Sequence, residues 1–169
     1  MFLARVVSDS PARAALKAAF ADLALSRRYG QFSVETVARL AGVARSTFYY
    51  HFAGKDALLL ANLAPLIEAL AQAPFTTAPS DELRLWTAHI WEKSSVAARL
   101  LAGPASRRIE GALAAALRTR LQAGAEARAA QIAGASLALL RAWVGQGATG
   151  GPEEIAAALW RGARALAQS

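Results

Sequence analysis

An all-α fold follows from three features of this 169-residue sequence. Alanine is abundant from end to end and leucine is frequent, and both are strong helix formers. Apolar residues recur at three- and four-residue spacing, while the sustained Val/Ile/Thr alternation of strands is missing. Helix starts and stops punctuate the chain, with Ser or acidic residues before the apolar patterns and Gly or Pro after them. An apolar content of 55% excludes a disordered chain, and the length suits one or two domains with a real core. The sequence divides into an N-terminal domain over residues 1–54, with three helices, and a C-terminal helical bundle over 55–169.

Taken in order, residues 1–9 read as a loose arm. Ser10-Pro11 starts the first helix, Ser10 as cap and Pro11 at the first helical position. Leu16, Ala19, Phe20, Leu23 and Ala24 form its core face. Gly30 is expected to end it in a left-handed cap. Arg27 and Arg28 then fall in its last turn, serving either the helix dipole or a phosphate. Ser33 caps a second short helix carrying Val37, Ala38, Leu40 and Ala41. Gly42 interrupts that helix, Val43 anchors the turn, and a third helical pattern runs through Phe48 and Phe52.

The fourth helix opens at Gly54-Lys55, and Pro65 within it is expected to kink or end it. It bridges two functional units, and Ala73-Pro-Phe-Thr-Thr-Ala-Pro79 reads as a linker. Ser80-Asp-Glu starts a fifth helix running to Gly103-Pro104. A sixth extends to Gly124, a seventh from Glu126 to about Gly145, and a last one opens at Pro152-Glu-Glu.

Two short helices joined by a turn containing Gly are the arrangement of a helix-turn-helix. The outer face of its second helix is dense in hydrogen-bond donors: Arg45, Ser46, Thr47, Tyr49, Tyr50 and His51. Net charge supports a polyanionic partner, at +7 overall. Residues 1–60 hold eight Lys/Arg against four Asp/Glu, and the remaining 109 hold eleven against eight, so the charge is densest around the helix-turn-helix.

Zero cysteines exclude disulfides and thiolate chemistry, and two histidines, His51 and His89, leave little for a metal cluster. No paired carboxylates sit at metal spacing, so neither a metal, a cofactor nor an enzymatic activity is expected. No uncharged apolar run reaches the length of a membrane span, and the stretch Met1–Arg5 is too short for a signal peptide. A cytoplasmic protein without a membrane partner is expected.

The pattern Tyr29-Gly30, Ser33-Val-Glu-Thr-Val-Ala38, Ala41-Gly-Val43, Thr47-Phe-Tyr49, His51-Phe52, Lys55 and Leu58 resembles the tetracycline-repressor-like (TetR) family of bacterial transcriptional regulators. The likeness covers about 30 contiguous residues; beyond it only length and helix content agree. It implies an N-terminal DNA-binding domain and a C-terminal domain that binds a ligand and dimerises through the last two helices. It also implies that Arg45 and Thr47 meet bases or phosphates. Tyr49, His51 and Lys55 match phosphate-contacting or orienting positions, and Phe48 and Phe52 match core positions. Ala44 stands where the family often has Ser, so the recognition helix lacks its side-chain cap. Ser46 stands where Gly or Pro is frequent.

The candidate DNA-contacting set is therefore Ser33, Thr36, Arg45, Ser46, Thr47, Tyr49, Tyr50, His51 and Lys55. Arg45 suits bidentate readout of guanine or a phosphate. Thr47 suits a thymine methyl, a phosphate or a local backbone bond. Either tyrosine can line the groove or lay its ring on the core. Lys55 at a helix start suits a phosphate. In the C-terminal part Trp86, His89, Ile90 and Trp143 are candidates for a ligand pocket, or else plain core. Small residues on the last two helices, Ala133, Gly134, Ala156, Gly162 and Ala163, suit close packing, in a homodimer or within one bundle. Two readings follow: a homodimeric repressor released from a palindromic operator by an apolar or aromatic effector, or a DNA-binding protein without effector control, constitutive or architectural.

Overall fold

The computed structural model of the chain describes residues 10–168; the arm expected over residues 1–9 lies outside them. Among the described residues the regular elements are helices, consistent with the all-α expectation. The chain forms two compact units that divide within one helix, between Asn62 and Leu63.

The first unit holds α1 (Pro11–Ser26), α2 (Val34–Leu40), α3 (Arg45–His51) and the start of α4 (Lys55–Gln72). Ser10 caps α1, its hydroxyl accepting from the Arg13 amide at 3.3 Å. Leu16, Phe20, Val37, Phe48 and Leu58 are buried at its centre. Phe20 meets Phe32 edge-to-face at 5.6 Å, the geometry that aromatic quadrupoles prefer.

α1 stops at Ser26, so Arg27 and Arg28 lie beyond its last turn rather than in it. Gly30 is not a left-handed cap: it sits inside a single 3₁₀ turn, Tyr29–Gln31, and its φ is not positive. The Gln31 side chain closes that turn by accepting from the Arg28 amide.

α2 ends as a Schellman turn. The Val43 amide donates to the Ala38 carbonyl and the Gly42 amide to that of Arg39, and Gly42 takes φ +67°, which glycine adopts without a Cβ clash. This turn aims α3. Leu40, expected on the core face, is 54% exposed, because the turn carries it past the buried stripe of Val37 and Ala38.

α4 runs on to Gln72 through Pro65. Pro65 lies on the exposed side while Leu66, Ile67 and Leu70 are buried. Its ring therefore faces solvent, and packing of its neighbours holds the helix despite the lost hydrogen bond. Residues 55–75 are apolar and long enough by composition to cross a membrane, yet half of that stretch is buried inside the protein, as in a core helix.

In the second unit the expected linker is packed structure. Ala73–Phe75 is a 3₁₀ turn with Ala73 and Pro74 buried. The Thr76 carbonyl accepts from Trp160 Nε1 at 3.1 Å and from Arg164 at 2.6 Å. The stretch after Ser80 is two helices rather than one, α5 (Asp81–Glu92) and α6 (Ser94–Ala102), broken at Lys93 with φ −112° and ψ 30°. Ser94 and Ser95 compete with helical hydrogen bonds, so a turn forms where no Gly or Pro signals one. α7 (Ala105–Arg118), α8 (Glu126–Val144) and α9 (Pro152–Gln168) complete the bundle. Its core includes Leu83, Leu113, Leu117, Ile132 and Leu140.

Candidate nucleic-acid interface and interior cavity

The outward face of α3 is built on its inward one. Phe48 is fully buried and Phe52 nearly so, which leaves Arg45, Ser46, Tyr49 and Tyr50 exposed, with Thr47 and His51 half-buried. Tyr50 is 85% exposed, so its ring does not lie on the core. Ala44 supplies no side-chain cap to α3.

Arg45 is not idle in this arrangement. Its guanidinium forms an ion pair with Glu35 of α2, reaches the Tyr49 hydroxyl at 3.4 Å, and lies 5.4 Å from the Tyr49 ring centre. The Tyr49 hydrogen bond, then the Glu35 charge, raises its pKa further. Glu35 in turn is held below the ordinary carboxylate range by its own backbone amide, by Ser33 and by Arg45. Glu35 lies in the first turn of α2. A pairing across ten residues and a turn carries no local signal.

Ser33 caps α2 through the Thr36 amide at 3.3 Å, and the two hydroxyls also meet at 3.3 Å. Both therefore sit at the exposed start of α2, next to the α3 face. His51 Nε2 lies 3.3 Å from the Ser10 hydroxyl, tying the end of α3 to the start of α1, and its ring meets Tyr50 edge-on.

Lys55 is the residue the structure redirects. Its ammonium donates to the carbonyls of Tyr29 and Phe32, both at 2.7 Å, and sits over both rings at 4.4 and 4.9 Å. Burial pushes its pKa down, partly offset by Asp56. The side chain points into the unit rather than out to a phosphate. Beside it the Tyr29 hydroxyl donates to Asp56, so one end of α4 is clamped to the Tyr29–Phe32 segment.

The second unit holds an apolar cavity of about 130 Å³ that opens to the surface. Trp86, His89 and Ile90 of α5 come together on its wall, facing Leu63, Leu66 and Leu70 of α4. Trp86 meets the His89 ring edge-on at 5.6 Å. Trp143 lies elsewhere: it is buried, donates Nε1–H to the Gly150 carbonyl at 2.9 Å and stacks on Trp91 at 5.3 Å. The sequence did not pick out Lys93, which also lines the cavity and is exposed.

The small residues of the last two helices divide. Ala133, Ala156 and Ala163 are buried within the chain, whereas Gly162 is exposed and Gly134 half-buried. Ala135, Ala138, Ala142 and Ala165 extend an exposed small-residue surface along α8 and α9.

Residues 16–61 match the family described as bacterial regulatory proteins, tetR family. Among curated proteins, the HTH-type transcriptional regulator EthR of Mycolicibacterium smegmatis is 36% identical over 61 residues. That stretch is 36% of this chain and spans 28% of the relative's length. Among solved structures, the dihydroxyacetone kinase operon activator DhaS superposes with a TM-score of 0.54 at 17% identity, covering 93% of this chain and 96% of that one. The second likeness is one of fold, and it extends over both units.

Proposed function

We propose that this chain, whose residues 16–61 match the tetR family of bacterial regulatory proteins, is a cytoplasmic, homodimeric transcriptional repressor rather than an enzyme. The carrying observation is the α3 face, where Arg45, Ser46, Tyr49 and Tyr50 stand exposed on a helix seated by buried Phe48 and Phe52. Arg45 is the residue of direct readout. It exchanges Glu35 for guanine O6 and N7 or for a phosphate as the duplex docks. Ser33, Thr36, Thr47 and Tyr49 hold the register on the backbone, and the uncapped amides at the start of α3 face the same polyanion.

One seven-residue helix reads few base pairs. A dimer that spaces two of them by about 34–36 Å reads a palindrome with useful specificity. The exposed Ala and Gly surface of α8 and α9 is the face that supports self-association, since small residues let helices approach closely. Effector control rests on the cavity. α4 contributes Lys55 and Leu58 to the first unit and Leu63, Leu66 and Leu70 to the cavity wall, so a ligand that binds one position of α4 better than another biases operator affinity.

Selecting bound duplexes from a random pool tests the reading. A palindrome with half-sites about one helical turn apart is expected. Arg45→Ala is expected to relax preference at one position of each half-site by about tenfold to a hundredfold. Recovery of unselected sequence, or a mutant with unchanged preference, would overturn direct readout by this face.

A further inference from the structure

The cavity also carries information about the chemistry of what fills it. Its wall is aliphatic and aromatic except at one place, where His89 in the last turn of α5 and Lys93 just beyond that helix lie one turn apart. Both residues are exposed as well as lining, so the apolar stem of Lys93 borders the cavity while its ammonium reaches the mouth. No hydrogen bond or ion pair engages that ammonium among the described residues, in contrast to Lys55, Arg45 and Arg120, each of which has a partner. Nor does any Asp or Glu line the cavity. Glu92 is the nearest acid in sequence, and it lies outside the wall. A volume of about 130 Å³ is close to the roughly 150 Å³ of an engineered protein cavity that stays dry and holds one benzene.

Resting on the effector reading above, we infer that the ligand is a small amphipathic acid: one apolar ring, or an acyl body of that size, bearing a single carboxylate. The ring displaces nothing polar as it enters, because the interior offers it no hydrogen-bonding partner. The carboxylate stays at the mouth, where Lys93 supplies a charge-assisted hydrogen bond. A neutral compound of equal size gains the burial without the charge. An amine of equal size places like charges together. The apolar wall thus sets size, and Lys93 sets the sign of the head group.

Titration calorimetry at neutral pH on the full chain, with benzoate and cyclohexanecarboxylate against benzyl alcohol and benzylamine, tests this. The acids are expected to bind about tenfold or more tighter than the alcohol, with the amine weakest. Lys93→Met is expected to erase the preference for acids while leaving the alcohol's affinity in place. Ala97→Leu, which fills the cavity from α6, is expected to abolish binding of all four without lowering the melting temperature. Equal binding of acid and alcohol to the wild type, or an acid preference that survives Lys93→Met, overturns the charge assignment and leaves the cavity as an effector site if Ala97→Leu still blocks it. Binding of none of the four overturns this ligand class. If operator affinity is also unchanged by Ala97→Leu and by a wider small-molecule set, the effector reading falls with it.

Discussion

The two units of this molecule differ in how completely each is specified. In the first, most local devices agree with the fold around them, although α3 starts at Ala44 with no side-chain cap. Ser10 and Ser33 cap their helices, Gly42 takes a positive φ, and Lys55 satisfies two carbonyls while covering two rings. In the second, α6, α7 and α8 begin at Lys93, Pro104 and Ala125 with no side-chain cap. There Gln146 occupies a left-handed position at φ 64°, and the bundle holds an apolar cavity. Agreement across levels gives a single well-defined geometry, which a reading head needs. Loose ends and free volume mark the elements that open and shift most readily, which the proposed effector response would need.

The largest expected effect breaks the contrast at its strongest joint. Lys55→Met removes the donor to the Tyr29 and Phe32 carbonyls but keeps an apolar stem over their rings. A cost of about 2 kcal/mol is expected, from two part-buried acceptors left without their charged partner. Urea unfolding measures it. An unchanged midpoint combined with weakened binding to every duplex would instead make Lys55 a phosphate ligand.

Next comes a matched pair of small-to-large changes. Ala38 is buried in α2, and Ala38→Leu is expected to cost about 1–3 kcal/mol by overpacking. Ala97→Leu grows into the cavity of the other unit and is expected to be neutral within about 0.5 kcal/mol, or stabilising. Equal costs at the two sites would mean that the second unit is packed as tightly as the first.

The same contrast explains what the sequence could disclose. The helix-turn-helix was legible because its signals are local: two Ser caps, a Gly between short apolar patterns, and Phe48 and Phe52 four residues apart. Lys55 misled for a physical reason. A cation at a helix start suits an anion, and only the return of the chain shows that two carbonyls 23 and 26 residues earlier are nearer. The Glu35–Arg45 pair has no local sequence signal because it crosses the turn. In the second unit Trp86, His89 and Ile90 share one helical face and so could be grouped. Trp143 could not be separated from them, since its hydrogen bond runs to Gly150 in the following turn. The break at Lys93 has no Gly or Pro to announce it. Pro65 did announce a break, but its exposed position left the helix intact.

The helix ends offer a smaller and more direct comparison. α8 finishes with the same paired hydrogen bonds as α2: the Gly147 amide donates to the Ala142 carbonyl and the Gln146 amide to that of Trp143. The residue in the left-handed position is Gly42 in one and Gln146 in the other. Gly42 has open space around its missing Cβ, so Gly42→Ala should cost only backbone strain, about 1 kcal/mol. Gln146→Gly should return most of a similar amount. Melting curves of the two mutants should therefore move in opposite directions. Shifts of the same sign would show that something other than φ decides the end of α8.

The smallest effects concern one ion pair in each unit. Arg120 grips both oxygens of Glu68 at 2.6 Å, and hydrogen bonds from Gln72 and then Arg120 hold that carboxyl below its ordinary range. A carboxylate whose folded pKa is lowered stabilises the fold above its unfolded pKa and loses that contribution as pH falls through the folded value. Glu68 is largely exposed, so Glu68→Gln should cost under about 1 kcal/mol near neutral pH, or roughly 1–3 °C in melting temperature. The gap between mutant and wild type should close on acidification below about pH 4. Glu35→Gln should leave the melting temperature alone, because both partners are largely exposed, and act on DNA instead. Freed from its carboxylate, Arg45 should bind unrelated duplexes about twofold to fivefold tighter and discriminate among them less. If Glu35→Gln lowered the melting temperature and left DNA affinity untouched, the Glu35–Arg45 pair would belong to the scaffold and not to the reading surface.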